Sequence, residues 1–317
     1  MTVDPRSGLP PVAEARLAEI RQSGTWGSAL TADEFTAIKS IGFEPVGQVL
    51  GAAVYNLGYT GGYACPAYGS RYVGGFGAYG GVPYNSVTAT SSSGTLGSYG
   101  PLVQTMYAAR RAAIGRMVDE CRELGGHGVV GVRLTIGQFP TGGLEFKAIG
   151  TAVRAPGAPP LRHPFTSDLS GQDFAKLVHK GWMPAGLVLG ITIAARHDDW
   201  QTVGQTRWSA GNAEVSGWTD LVNDARHDAR LQLADDVRRI GAEGVVIADM
   251  DLRVRERECP AQEGRRDHII EAVNIGTAIV KFKSSHLGRD RHAPLAIMSL
   301  DPQRRQAARV DIGQNRK

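Results

Sequence analysis

Residues 30–51 read LTADEFTAIKSIGFEPVGQVLG, and residues 169–190 read LSGQDFAKLVHKGWMPAGLVLG. The two stretches align without a gap, matching at Leu30/Leu169, Phe35/Phe174, Gly42/Gly181, Pro45/Pro184, Gly47/Gly186 and Val49-Leu50-Gly51/Val188-Leu189-Gly190. A repeat of this kind marks a duplicated structural unit. Thr31 with Glu34, and Ser170 with Asp173, have the spacing at which an N-cap hydroxyl and an acidic side chain satisfy each other's backbone donors. Leu30/Phe35 and Leu169/Phe174 stand where a hydrophobic staple closes over a helix start. Each copy therefore opens with a short helix. Gly42 and Gly181 suit the left-handed residue that ends it, and Pro45 and Pro184 keep it from resuming. The apolar runs from Val46 to Tyr55 and from Ala185 to Ala195 follow as strands. They lack clean alternation, which predicts cover on both faces.

A second matched block runs from Ala109 to Leu134 and from Ala225 to Leu252. Ala113, Met117, Cys121 and Leu124 fall on one face of a helix ended by Gly125, as Leu233, Val237 and Ile240 do before Gly241. Strands GVVGVRL and GVVIADMDL come next, and IGTAV at 149–153 with IGTAI at 275–279 supplies a closing strand in each copy. The predicted fold is α+β: two tandem domains, each a small three-stranded antiparallel sheet with one long helix and a short preceding helix. One long helix covers one face of such a sheet. The missing cover has to come from the sister copy or from other chains, so oligomerisation is expected.

The strand ending VLGAAVY, the helix running into ELGGHGVVGVRL and the closing AIGTAV resemble the YbjQ-like family, which is named for heavy-metal binding. The second copy resembles it in LGITI, IGAEGVVIADMDL and NIGTAIV. The resemblance covers about two thirds of the chain. It implies a dodecin-like strand-helix-strand-strand subunit and pentameric rings, and it leaves the biological role open. This chain departs from single-domain members in its two copies, its capped first helices and its enlarged inserts. The expected organisation is an N-terminal segment with an amphipathic helix (1–29), repeat 1 (30–156) with an insert at 57–101, a linker (157–168), repeat 2 (169–283) and a basic tail (284–317).

Composition limits the alternatives. The chain has 317 residues, 42% hydrophobic and 21% charged, which is enough to fold two domains. No run approaches the ~20 apolar residues of a spanning helix, and the N-terminus lacks the order of a secretory signal, so a cytoplasmic location is expected. Cys65, Cys121 and Cys259 include no C-x-x-C pair, so neither a disulfide framework nor a zinc ribbon is indicated. From Ser284 onward there are seven Arg or Lys against three Asp, an excess equal to the whole formal charge of +4. The body is near neutral and no nucleic-acid partner is expected. G-x-S-x-G, a P-loop, a dinucleotide fingerprint after a strand and H-E-x-x-H are all missing, so no enzyme is predicted.

Insert 57–101 holds seven of the nine tyrosines, a dozen glycines and a single charge, Arg71. It reads as a low-complexity loop, as a loop whose Tyr59, Tyr63, Tyr68, Tyr72, Tyr79 and Tyr84 pack against neighbouring copies or line a ring's opening, or as a membrane-active hairpin. The insert of the second copy, about 194–218, carries Trp200, Trp208 and Trp218 beside His197, Asp198 and Asp199. Trp200 and Trp208 are candidate interface anchors. For a divalent metal ion the candidates are Asp224, His227 and Asp228, which share one helical face with Asp220. Arg226 and Arg230 make the same face readable as a solvated, ion-paired surface. Asp249 and Asp251 alternate on a strand and share a face, which in a ring forms a band of negative charge, or else a polar sheet edge. His127 is read as a cap at the helix end beside a buried Cys121.

Overall fold

The computed structural model describes residues 9–25, 27–56, 88–92, 99–138, 143–259, 264 and 266–282. Helix α1 (Pro11–Ser23) precedes the first copy, which opens with α2 (Ala32–Ser40) and β1 (Glu44–Asn56). After the short β2 (Ala89–Thr90) come the long helix α3 (Gly100–Glu123), β3 (Gly128–Gln138) and β4 (Gly143–Arg154). The second copy is entered through β5 (Phe165–Thr166) and repeats the order as α4 (Gly171–His179), β6 (Trp182–His197), α5 (Trp200–Gln205), α6 (Ser216–Ile240), β7 (Gly244–Glu258) and β8 (Arg266–Lys281). The chain is thus two tandem small α+β units, as the repeat implies.

The caps form as the spacing requires, with one difference between copies. Thr31 accepts the Glu34 N–H while the Glu34 carboxylate accepts the Thr31 N–H, a complete reciprocal box. Ser170 accepts the Asp173 N–H, but Asp173 turns to accept the Ser170 hydroxyl and Lys176 instead. Gly42 and Gly181 both sit at φ +82°, the left-handed region that a side chain would resist. Pro45 and Pro184 each lie at a register shift between the first and last strands of their copy. A proline cannot donate to the ladder, so the pairing resumes two residues on.

Among the described residues each sheet has four strands rather than the expected three. The first runs β1-β4-β3-β5 and the second β2-β6-β8-β7. The fourth strand in each is two residues long and comes from outside the copy that owns the sheet. β5, which leads into the second copy, pairs parallel with β3, and β2, from the insert of the first copy, pairs antiparallel with β6. The described end of insert 57–101 is therefore woven into the second sheet. Ser91 donates its N–H to Ile193 O, and Tyr99 is buried against that sheet.

Cover is also unequal. Strand β6 is almost wholly buried, whereas β1 alternates, with 45, 47, 49, 51 and 53 buried and the intervening residues half-buried. The expectation of two covered faces holds for β6 and not for β1. Its sheet has α6 on one face, through Leu221, Ala225 and Ala229. On the other face lies α3 of the first copy, through Val103 and Met106 against Ile191, Ile193 and Val273. Tyr107 of α3 reaches into β6, its hydroxyl accepting the Ile191 N–H and donating to Leu189 O. The first sheet has α3 on one face, and Val54 on the other is 50% exposed.

Candidate functional site

Two regions concentrate unusual geometry: the seam between the copies and a polar cluster at one end of the second sheet. In the seam, residues 165–169 run along the edge of β3. Phe165 and Ser167 donate their N–H groups to His127 O and Val129 O, while Ser167 O and Leu169 O accept from Val132 and Gly131. Helix α4 then lies on α2, enclosing Ile38, Val130, Val153, Phe165, Phe174 and Val178. Phe43 meets Phe165 and Phe174 edge-on, with centroids 6.4 and 5.3 Å apart. The Gly171 N–H donates to Glu34, tying the two helix starts together. Burial acts to raise the Glu34 pKa, but hydrogen bonds from the Thr31 and Gly171 N–H groups outweigh it and hold the carboxyl below its usual value.

The polar cluster follows from antiparallel register. Arg196 and His197 end β6, with Asp198 just past it, and they face Arg266-Asp267-His268 on β8, with His197 opposite Asp267 and Arg196 opposite His268. His197 Nδ1 lies 2.7 Å from Asp267 Oδ1, and His268 Nδ1 lies 3.0 Å from Asp198 Oδ1. Neighbouring strand residues point to opposite faces, so the two His–Asp pairs serve opposite sides of the sheet. Trp218 of α6 completes one side, donating its indole N–H to Asp198 and lying 4.7 Å from the His268 ring. On the other, Cys259 at the end of β7 joins His197 and Asp267. All three are buried, with ligand atoms within 4.8 Å of one another, and among the described residues they are the one such group. A nitrogen, a thiol sulfur and a carboxylate oxygen are donors that suit zinc and similar divalent ions.

The sequence-derived candidates are placed as follows. Asp224 and His227 are exposed on α6, whereas Asp228 is buried and accepts the hydroxyls of Thr192 and Ser92. Asp249 and Asp251 line a groove of about 290 Å³ between the copies, which Arg110 and Glu271 also line. Asp251 accepts from Arg253 at 2.9 Å. Trp200 and Trp208 are exposed, Trp208 completely. Tyr59, Tyr63, Tyr68, Tyr72, Tyr79 and Tyr84 lie outside the described residues, as does the basic tail. His127 is not the helix cap expected of it: its Nδ1 accepts the Ala155 N–H just past β4. Cys121 is buried under the first sheet, and burial pushes its thiol up to about 12, so it is inert packing. Sequence reasoning missed the Cys259 group; the mirrored triplets RHD at 196–198 and RDH at 266–268 are a signal for its His197 and Asp267 only once the two strands are taken as neighbours.

Comparison with known proteins gives a consistent picture. A family model, YbjQ_1, described as "Putative heavy-metal-binding", matches residues 84–156, which span α3, β3 and β4. The encapsulin nanocompartment protein Rv1762c of Mycobacterium tuberculosis is 34% identical over 250 residues, covering 76% of this chain and 82% of that protein. A UPF0145 protein of Clostridium perfringens is 42% identical over 60 residues, 19% of this chain and 54% of its own length. A UPF0145 protein of Burkholderia mallei is 33% identical over 76 residues, 20% of this chain and 68% of its own.

Proposed function

Because this chain belongs to the YbjQ-like family, we propose that it is a non-enzymatic protein that assembles with copies of itself into a ring in the cytoplasm. The observation that carries this reading is the unequal cover of the two sheets. Strand β6 of the second sheet is held between α6 and α3, while β1 of the first leaves Val54 half-exposed and β7 of the second leaves Ile247, Met250 and Val254 exposed. Exposed apolar strand residues of this kind are covered most directly by a neighbouring chain. The name of the relative Rv1762c, an encapsulin nanocompartment protein, supports assembly as the role. Five chains, hence ten repeats, is the count taken from the family resemblance, with the tyrosines of the insert turned to neighbouring copies or to the ring's opening. Negative-stain images of the purified chain should show annular particles of uniform size. Images of irregular aggregates or of particles no larger than one chain would contradict the ring.

A second reading is favoured by the buried His197, Cys259 and Asp267 group: a divalent metal bound there. The ion would tie β6, β7 and β8 together at one end of the second sheet, as structural zinc does elsewhere. Titration calorimetry with zinc near pH 7 should give stoichiometric uptake by the native chain and none by His197→Ala/Cys259→Ala. Replacing Asp224, His227 and Asp228 together tests the helix-face alternative in the same assay. No uptake by the native chain would end both.

A further inference from the structure

The self-assembly reading leaves the contact between copies unspecified, and the internal seam supplies it. We propose that copies join head to tail by repeating that seam. Residues 27–30 of one chain would add to the edge of β7 in a second chain, with α2 against the second chain's α4, and with the second chain's α6 over the face of the first chain's β1-β4-β3 sheet opposite α3. The proposal rests on the self-assembly reading and adds a definite interface to it.

The two entry segments are already held alike on their own repeats. Ser167 Oγ lies 3.0 Å from Thr277 Oγ1, which also accepts the Asp168 N–H at 3.1 Å. Ser28 Oγ lies 3.3 Å from Thr151 Oγ1, which accepts the Ala29 N–H at 3.2 Å. Thr151 and Thr277 are the same position of the IGTAV and IGTAI strands. What differs is the outer side. Residues 165–167 are buried in the seam and bonded to β3, whereas 27–29 are exposed. Among the described residues the Ser28 N–H, Ser28 O and Leu30 O have no partner, although their counterparts on Ser167 and Leu169 bond to Val129, Val132 and Gly131.

The receiving edge is equally unfilled. Val129 and Val130 of β3 are fully buried, while β7, which begins with the same Gly-Val-Val, has β8 on one side and no strand on the other among the described residues. Ile247, Met250 and Val254 of β7 are 39%, 52% and 57% exposed. Such an edge is a template for strand addition. The helix starts match as well. Glu34 accepts the Gly171 N–H inside the chain, and Asp173, its counterpart on α4, stands where it would receive the Ala32 N–H of another copy. A second copy is the occupant because the donor segment and the open edge lie on the same chain in the relation that the seam already joins. A contact between two different surfaces of one chain propagates, and it ends only by closing into a ring.

The test is a designed cross-link. Val129 and Thr166 are paired across the internal seam, so Val245 and Gly27 should be paired across the proposed one. Full-length Gly27→Cys/Val245→Cys, gently oxidised, should convert most of the protein to a ladder of covalent multimers, and either single variant should not. If light scattering shows the double variant assembled but no ladder forms, the seam is wrong and self-assembly stands. A ladder equally strong in a single variant also counts against the seam. A folded monomer overturns both.

Discussion

The Glu120 carboxylate, buried beneath the first sheet, accepts the backbone N–H of Leu50 at 2.7 Å. Glu120 also pairs with Arg16 of α1. The second copy repeats the device, with Asp236 accepting the Leu189 N–H at 3.0 Å while pairing with Arg111 and Arg239. In each copy an acidic residue on the long helix holds the first strand just before the glycine where helix and strand touch. Burial raises the Glu120 pKa, opposed by the Leu50 N–H and Arg16. Glu120→Ala should cost about 1–3 kcal/mol in denaturant unfolding, because the half-buried Leu50 N–H loses its acceptor and Arg16 its partner. Glu120→Gln, which keeps an acceptor oxygen, should cost less.

Gly51 and Gly190 mark the closest approach of strand to helix. A Cβ at Gly51 would lie 1.9 Å from Ala113 O, and one at Gly190 would lie 2.1 Å from Ala229 O. Both contacts are with backbone and cannot be relieved by a rotamer change. Either glycine-to-alanine change should therefore force the helix off its sheet and cost about 1–3 kcal/mol or more. Gly115, with nothing within 4 Å, is the control, and its alanine variant should melt at or above the native temperature.

Glu34 makes the seam sensitive to acid. Its folded pKa is lowered, so its contribution is present above the ordinary carboxylate range and is lost as the pH falls through the lowered value. The melting temperature of the native chain should drop between about pH 5 and pH 3 more steeply than that of Glu34→Gln. Parallel curves would mean that the Gly171 contact does not hold the helix starts together.

The elements themselves were legible because their signals are local. Thr31/Glu34 and Ser170/Asp173 write helix starts within four residues, and Gly42, Gly125, Gly181 and Gly241 write helix ends, each at positive φ. The family resemblance was legible for the same reason. Strands β2 and β5 were not, since two residues carry no periodicity and each pairs with a sheet owned by the other copy. The role of α3 as cover for both sheets was hidden because Tyr99 at its start and Val103 and Met106 on its second face work against residues about 90 to 170 positions away. The His197–Asp267 and His268–Asp198 pairs each join positions 70 apart, a relation fixed by register alone. The unequal cover of β1 and β6 also escaped the sequence, since the two strands share Pro-x-Gly-x-Val-Leu-Gly and differ in what lies on them.

Self-association is the central claim, and the mass of the intact chain in solution tests it most directly. Light scattering coupled to size exclusion, at micromolar concentration and neutral pH, should give one species whose mass is a whole multiple of 33.8 kDa, five being the multiple proposed. A single well-folded species of 33.8 kDa across that concentration range would contradict the account.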